Sequence, residues 1–385
     1  MRRRSRLLTA TTIASIAAFA VAGCAQSSTQ SAETSSSGGK ALTVFISGDT
    51  NVQDLWTKSL VPAFEKANPG YTVTVNLDLH GQHDSQTVAK LTSATQQKKN
   101  PGFDLVDGGF VPQLSEAKLL TGVSKSNLKG LADVPSDIVK AAGAGGIPYR
   151  ASSVLLAYDS QTVSSPPKTL DDLLKWVKDH PGKFTYNTPD SGGSGQSFVT
   201  TVLDKNVSVS DRKKMVVGYK QSLQTSWEKG FATLASLNPY IYQKGVYPNG
   251  NDQVLSLLSS GQISMAPVWS DQFITGQKNG QIPATIKYTQ ISNPSLTGGA
   301  AYLGIPKASK NQVGALKLAN FVLSPKAQVL MTTSVAGYPV VPLSTLPKDV
   351  QAKFKDTDTD KLRPVYFSAM LQDLNNLWTQ KVPGK

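Results

Sequence analysis

The chain has 385 residues, of which 39% are hydrophobic and only one is a cysteine, and its formal net charge is +13. A single thiol excludes internal disulfides and a metal site built from several thiolates. The lysines and arginines are spread along the chain and form no basic stripe, which argues against a nucleic acid as the partner.

The N-terminus has the pattern of an export signal. Arginines at positions 2, 3, 4 and 6 precede an apolar run over 7–22, and Cys24 follows the small residues Ala22 and Gly23. We therefore predict a lipoprotein signal peptide over 1–23, with a lipid on Cys24 that anchors the chain to the extracytoplasmic side of the cell membrane. The alternative is an uncleaved membrane span, but the run is shorter than the roughly 20 residues that a span needs.

Residues 25–39 are almost wholly Ser, Thr, Gln, Ala and Gly. Such a segment buries too little apolar surface to fold, so residues 24–40 are predicted to be the lipidated cysteine and a flexible tether. The tether would hold the folded part on the order of 20 Å from the bilayer. Without its leader the chain keeps 362 residues, which is more than one ordinary core and favours two lobes.

The folded part opens with a predicted strand, helix and strand. An apolar run over 42–46 is followed by a helical pattern over 52–66, which stops at Asn68-Pro69-Gly70. Residues 71–79 then alternate strictly, with Val73, Val75, Leu77 and Leu79 on one face. A βαβ unit of this kind builds a parallel sheet, so the predicted fold class is α/β.

The same alternation of element types continues along the chain. Thr169 with Asp172 three residues later predicts the start of a helix, as does Ser324 before Pro325. The other predicted elements are a helix over 85–98, a strand over 103–106, a strand pair within 146–158, strands over 183–187 and 263–268, and a helix over 313–323.

An exported enzyme is one class of protein that the sequence could encode. Ser194, within Gly192–Gln196, is the best candidate for its nucleophile. A nucleophile elbow needs glycine on both outer positions, but Gln196 occupies the second one. His80 and His83 follow the strand that ends at Leu79, and two imidazoles so spaced could share a metal ion. No third ligand is evident nearby, so we favour a polar loop and predict neither a metal nor a cofactor.

The glycine-rich segment from Ser191 to Gly195 lies between a predicted strand and an apolar helical stretch that begins near Ser197. Backbone N–H groups at such a helix N-terminus favour an anionic or hydroxylic ligand group. We therefore name Ser191, Gly193, Ser194 and Gly195 as ligand-binding candidates. The alternative interpretation is a glycine-rich loop in solvent.

Further candidates lie where apolar strands end in polar or glycine-rich segments. Ligands of open α/β sheets bind beyond the carboxyl ends of strands, and an aromatic ring followed by an acid can hold a polar or cationic group. These candidates are Gly48, Asp49, Asp107, Tyr149, Trp269 and Asp271. For Trp269 the alternative is a ring that covers a hinge.

Several stretches resemble the extracellular solute-binding proteins of ATP-driven (ABC) importers, in the two-lobed periplasmic-binding-protein-like class II form. They are Ile147-Pro148-Tyr149, Gly261-Gln262-Ile263 before the Trp269 strand, and above all Gly304–Lys307 followed by Ala319–Gln328. Residues 181–186 and 193–198 resemble the YnjB-like group, which is related to thiamine, polyamine and ferric-ion binding proteins. Ferric-ion binders usually present adjacent tyrosines, and this sequence has no Tyr-Tyr pair.

The resemblance implies two lobes, each a mixed sheet flanked by helices, joined by hinge strands. Lobe one would span 41–150 with a returning segment at about 271–312, lobe two 151–270, and 313–385 would add C-terminal helices that pack on the lobes. The resemblance also implies a monomer that is not an enzyme and works with a permease and an ATPase. Aromatic and acidic candidates favour an organic cation such as thiamine or a polyamine over the alternative, a sugar. An exported serine hydrolase and an adhesion lipoprotein are further alternatives.

Overall fold

The computed structural model describes residues 40–335, 337–354 and 363–383, and the predicted signal peptide and tether lie outside them. The strands are β1 (Ala41–Gly48), β2 (Thr72–Leu79), β3 (Leu105–Asp107), β4 (Gly146–Asp159), β5 (Met265–Trp269), β6 (Ile286–Thr289) and β7 (Gly298–Gly304). The helices of the first half are α1 (Thr50–Asp54), α2 (Val61–Ala67), α3 (Asp84–Gln96), α4 (Val111–Glu116), α5 (Ser136–Ala142), α6 (Leu170–Asp179) and α7 (Gly193–Asp204). Those of the second half are α8 (Val209–Val217), α9 (Glu228–Ser236), α10 (Asn251–Ser259), α11 (Ser270–Lys278), α12 (Gln312–Val322), α13 (Pro325–Ser334), α14 (Lys348–Phe354) and α15 (Ser368–Lys381).

The first βαβ unit forms as predicted. β1 and β2 pair in parallel, from Ala41 opposite Thr72 to Gly48 opposite Leu79. The connecting helix is interrupted by a π-helical segment over Leu55–Leu60. Pro62 follows this segment at the start of α2, and it has no backbone N–H with which to continue an α-helical ladder. The predicted single helix is therefore two α-helices with a widened turn between them.

The alternation of β2 changes phase at its end. Leu79 was predicted to share the face of Val73, but its side chain is 40% exposed, whereas Asp78 is 7% exposed. Asp78 accepts hydrogen bonds from the backbone N–H of His83 at 2.8 Å, and its other carboxylate oxygen lies 2.7 Å from His83 Nδ1. Local hydrogen bonding in the turn after β2 therefore overrides the apolar pattern at this position.

All seven strands form one mixed sheet in the order β2-β1-β3-β7-β4-β5, and β6 also pairs with β4. The predicted strand pair near 146–158 is the single long strand β4. Its first half, to Ser153, pairs with β7, and its second half, from Val154, pairs with β5 and β6. β5 is an edge strand, which is where Pro267 is tolerated because a proline cannot donate to a ladder.

The three largest of five clusters of buried side chains among the described residues divide most of the elements. The first core gathers β1, β3, the first half of β4, β7, α12 and α13. The second core gathers α6, α7, α9 and α15 around the second half of β4, and the third core lies between β4, β5, β6, α10 and α11. Phe273 and Ile286 of α11 and β6 pack in this third core with Ala266 of β5.

This packing bears on the expected lobe boundaries. The segment from 271 to about 296 packs beside β5, whereas the sequence analysis assigned it to lobe one, and the chain returns to the first core only with β7. Contacts join Lys40–Lys385 into one compact unit. The division into lobes at 150 and 270 stays a prediction.

Other local expectations can be compared directly with the structure. The side chains of Thr169 and Ser324 accept hydrogen bonds from the backbone N–H of Asp172 and Ala327, so both predicted helix starts are confirmed. The predicted strand over 183–187 is wrong: it is an extended segment bridged only at Phe184, to Ile241 and Met265. No helix among the described residues is both long and apolar enough to cross a bilayer.

Candidate functional site

Three helix N-termini meet beside the end of β1. The first residues of α7 and α10 touch each other, because Ser194 Oγ lies 2.6 Å from Asn251 Oδ1. Trp269, which precedes α11, packs against Gly193 at the start of α7. N–H groups and the positive ends of three helix dipoles therefore lie close together, an arrangement that favours electron-rich ligand groups.

Asp49, directly after β1, connects this place to the first core. Its Oδ1 lies 2.6 Å from His80 Nδ1, and its Oδ2 accepts a 2.7 Å hydrogen bond from Asn251 Nδ2. Asp252 follows Asn251 on α10, and its ligand atoms lie within 4.8 Å of those of Asp49 and His80. We call Asp49, His80, Asn251 and Asp252 the Asp49 cluster.

The short distances between the side chains of the Asp49 cluster shift the pKa values of two of them. The hydrogen bond to Asp49 raises the pKa of His80, against the opposing effect of burial. Burial raises the pKa of Asp252, and the charge of Asp49 raises it further. His80 and Asp252 therefore hold protons more tightly than the same groups would in water.

The polar chain continues from Asn251 to the start of α7. Ser194 Oγ lies 2.8 Å from Asn187 Oδ1 as well as 2.6 Å from Asn251 Oδ1, and these two acceptors compete for its one hydrogen. The backbone N–H of Gly195 donates to Asn187 Oδ1 at 2.8 Å. The Gly195 N–H, which we expected to face a ligand, is thus engaged within the protein.

The structure gives a packing reason for two of the glycines in this segment. A Cβ on Gly195 would lie 1.9 Å from the backbone oxygen of Asn187, and one on Gly193 would lie 2.5 Å from Trp269 Cζ2. Ser191 is also engaged internally, since its hydroxyl donates to Thr188 O at 3.0 Å and accepts from Gly250 N at 2.9 Å. The alternative of a glycine-rich loop in solvent is wrong for Ser191 and Ser194, which are both buried.

A second polar group extends from β3 to α11. Asp107 Oδ2 accepts from Tyr149 Oη at 2.5 Å and from Trp56 Nε1 at 3.0 Å. Arg150 donates from Nε to Tyr149 Oη at 2.9 Å and from Nη1 to Asp271 Oδ2 at 2.9 Å. We call Asp107, Tyr149, Arg150 and Asp271 the Arg150 network.

A β-bulge makes this network possible. The register of β4 against β7 shifts between Pro148 and Arg150, so Tyr149 is the extra residue. Tyr149 packs in the first core and is fully buried, whereas the Arg150 side chain reaches α11. Asp271 also accepts from Ser152 Oγ at 2.6 Å.

Burial and neighbouring groups act in opposite directions on the pKa values of the Arg150 network. Burial raises the pKa of Asp107, and Arg150 with the hydrogen bonds from Tyr149 and Trp56 offsets part of that rise. Burial also raises the pKa of Tyr149, so its phenol stays protonated. Burial acts to lower the pKa of Arg150, but Tyr149, Asp271 and Asp107 raise it by more, so the guanidinium stays charged.

The first turn of α11 touches both polar groups. Asp271 belongs to the Arg150 network, and the next residue, Gln272, donates from Nε2 to Asp252 Oδ1. Gln272 is only 6% exposed, and its Oε1 has no hydrogen-bond partner. One helical turn therefore connects the Asp49 cluster with the Arg150 network.

The candidates named from the sequence thus fall into two groups. Asp49, Gly193, Ser194 and Trp269 come together at the three N-termini, with Ser191 and Gly48 beside them, whereas Asp107, Tyr149 and Asp271 meet in the Arg150 network. The sequence analysis named none of the following as ligand-binding candidates: His80, Arg150, Asn187, Asn251, Asp252 and Gln272. Gly250-Asn251-Asp252 before an apolar helical pattern was the one available signal, because such residues start helices.

Ser194 has no imidazole among its hydrogen-bond partners in the described structure. His80 and His83 bond Asp49 and Asp78, and His180 Nδ1 lies 2.9 Å from the backbone oxygen of Trp176. The two histidines that could have shared a metal ion therefore have separate carboxylate partners. The partners of the Ser194 hydroxyl are amide oxygens, which do not act as a general base.

Comparisons with known proteins agree with this architecture. Residues 59–356 match the family described as bacterial extracellular solute-binding protein. YnjB of Escherichia coli (strain K12) is 25% identical over 171 residues, which cover 43% of this chain and 42% of YnjB, so the chain matches less than half of that relative's length.

Solved structures extend the likeness to most of the chain. An extracellular solute-binding protein from Bordetella parapertussis superposes with a TM-score of 0.66 at 19% identity, covering 89% of this chain and 99% of that one. A protein described as a spermidine/putrescine ABC transporter from Listeria monocytogenes gives a TM-score of 0.63 at 17% identity, with coverage of 88% and 98%. These likenesses show the α/β fold of periplasmic binding proteins.

The match over residues 59–356 defines the class of this protein: it is an extracellular solute-binding protein. The family match covers most of the chain. The chain belongs to the bacterial extracellular solute-binding protein family.

Proposed function

We propose that the protein captures a small polar solute beside Trp269, where the N-termini of α7, α10 and α11 meet, and delivers it to the permease and ATPase of an importer. The observation that carries this proposal is the contact of the three N-termini with each other and with Asp49, which follows the end of β1. Ligands of α/β proteins bind at such places, where strand ends and helix N-termini face one another.

An organic cation such as thiamine or a polyamine is the first candidate solute. Two carboxylates, Asp49 and Asp252, lie close to each other. The half-buried ring of Trp269 packs on Gly193, whose neighbour Ser194 bonds to Asn251 of the same cluster. Asp271 is ion-paired with Arg150, and Asp107 is buried with Tyr149 and Trp56 as hydrogen-bond donors, so the negative charge offered to a cation comes from the Asp49 cluster. The N-termini would hold an oxygen-rich part of the same solute.

A sugar is the second candidate. An aromatic face with amide and carboxylate hydrogen-bonding groups suits a hydroxyl-rich solute, and Asn187, Asn251 and Asp49 supply such groups beside Trp269. We further propose that the mature protein is a monomer anchored by lipid at Cys24. Size-exclusion chromatography of the chain from residue 25 tests the monomer.

A thermal-shift screen of residues 25–385, which contain the compact unit Lys40–Lys385, tests the function. The compounds are thiamine and its phosphates, polyamines, sugars and amino acids. A specific solute at about a hundredfold excess over Kd adds roughly 2.7 kcal/mol of stability, which is a rise of a few degrees. We expect Trp269→Ala to abolish that rise.

Trp176→Ala is the matched control. Trp176 is equally half-buried, but it lies on α6, where it stacks on His180 at a centroid distance of 4.3 Å. The control should keep the full shift. A solute whose shift survives Trp269→Ala would place the binding site elsewhere, and no shift with any compound class would contradict solute capture of these kinds.

A further inference from the structure

We propose that Asp49, His80 and Asp252 form a binding site for a divalent transition-metal ion. Asp49 follows β1, His80 follows β2, and Asp252 lies in the first turn of α10. One ligand atom from each of these side chains lies within 4.8 Å of the other two. The proposal rests on this geometry, and a bound ion would compete with an organic cation for the Asp49 and Asp252 carboxylates.

The spacing suits a metal ion after a small contraction. Bonds from such an ion to nitrogen or carboxylate oxygen are about 2.1 Å long, so two ligands of a tetrahedral site lie about 3.4 Å apart. The separations in the cluster are at most 4.8 Å, so the longest would shorten by no more than about 1.4 Å, and the 2.6 Å contact of Asp49 with His80 would lengthen by about 0.8 Å. Side-chain rotation at Asp252 can supply this movement, because Asp252 and His80 are both only partly buried.

Gln272 gives independent support for a ligand at this place. Its side-chain nitrogen donates to Asp252, while its Oε1 is buried and has no partner. Buried polar atoms in folded proteins almost always have a partner, so this oxygen needs an explanation. An amide oxygen is a good metal ligand, and a cation beside Asp252 would provide the missing partner.

The donor set selects the class of metal. One imidazole with two carboxylates and an amide oxygen suits first-row divalent ions such as Zn²⁺ and Mn²⁺, whereas Ca²⁺ and Mg²⁺ prefer sites made wholly of oxygen. Thiolate ligands are excluded, because the chain has one cysteine and Cys24 precedes the compact unit. Since Asp49 and Asp252 belong to distant parts of the chain, a bound ion would link the first core to α10.

Isothermal titration of residues 25–385 with ZnCl₂ or MnCl₂, after removal of metal by a chelator, tests the site. We expect one equivalent to bind, and His80→Ala and Asp252→Asn each to weaken binding by more than about tenfold. His83→Ala is the matched control, because His83 is also paired with a buried aspartate, Asp78, only three residues away. This variant should bind the metal like the wild type.

Far-UV circular dichroism and a melting curve without metal establish that each variant is folded. For the wild type, added metal should raise the melting temperature, and this rise should be lost in His80→Ala. Three results would overturn the proposal: no binding of one equivalent, equal binding by His80→Ala and the wild type, or loss of binding in His83→Ala instead. The thermal-shift screen could identify a solute while the titration shows no metal binding. That combination would contradict the metal site and leave the proposed function intact.

Discussion

At the scale of single residues, the partners of each acid decide whether it can offer charge to a solute. Asp271 pairs with Arg150 at 2.9 Å in a nearly dry environment, and Asp107 accepts from two buried donors. An intact buried ion pair adds little to the free energy of unfolding. Removing one of its partners lowers that free energy strongly, because the other charge is left buried without a partner. We therefore assign these acids to the scaffold of the candidate site, and we propose Asp49 with Asp252 as the pair that meets a cation.

Asp84, in the first turn of α3, is an acid whose charge the fold disfavours. Burial raises its pKa from 3.8 to about 6, and a hydrogen bond with Ser47 offsets only part of this effect. Because the pKa is raised in the folded state, the protonated form stabilises the fold relative to the charged one. The cost of the charge is therefore complete above pH 6 and disappears below about pH 4.

We expect Asp84→Asn to raise the free energy of unfolding at pH 8 by up to about 3 kcal/mol, because the amide removes the buried charge at nearly constant size. This gain should shrink as the pH falls and vanish near pH 4. Urea unfolding across this pH range measures it. Asp133→Asn is the control, since Asp133 is exposed, and this substitution should give no comparable gain at pH 8. A gain that is constant with pH would contradict the assignment.

At the scale of elements, the start of α7 shows how two segments constrain each other. Gly193 is the first residue of the helix, and the Trp269 ring at the end of β5 occupies the space that a side chain would need. Glycine is therefore required at position 193, because an aromatic ring from a part of the chain that is distant in sequence packs against it. Helix propensity alone would favour alanine there.

We expect Gly193→Ala to lower the free energy of unfolding by about 1–3 kcal/mol, because the new methyl group overpacks against Trp269. In a Trp269→Ala background the same substitution should be neutral or stabilising. A double-mutant cycle measured by chemical denaturation gives the coupling energy. Equal costs in both backgrounds would mean that the two residues do not contact each other.

At the scale of the whole molecule, β4 connects the packing groups. Its first half belongs to the sheet of β7 and its second half to that of β5 and β6, so one continuous strand runs from the first core to the second and third. The bulge at Tyr149 lies on this strand. A hinge between lobes would require this strand to bend, and the lobe division remains our prediction.

Membrane attachment is the prediction that belongs to the complete chain. In a bacterial host, the protein should incorporate a labelled fatty acid and fractionate with membranes, because Cys24 follows the predicted export signal. Cys24→Ala should abolish the label, since the chain has no other thiol. Ser27→Ala is the control and should be labelled normally. Persistent labelling of Cys24→Ala would contradict lipid attachment at this residue.

The sequence by itself determined the features that depend on neighbouring residues. Alternation over 71–79, the helix starts at Thr169 and Ser324, and the strand-helix-strand order of the first 40 folded residues all follow from local periodicity and capping. These features were sufficient for the α/β class and for naming the strand ends that lie at the site. They failed where a local hydrogen bond or a proline competed with the pattern, at Leu79 and Pro62.

Tertiary structure decided which of the named residues are in contact with each other. Asp49 and Asn251 are 202 positions apart, yet a 2.7 Å hydrogen bond joins them, and no local pattern contains that information. The same holds for Arg150 and Asp271, whose pairing depends on a bulge in β4 and on the position of α11. A side chain's charge and its availability to a ligand are set by the distant groups that pack against it, and these are positioned only when the sheet is complete.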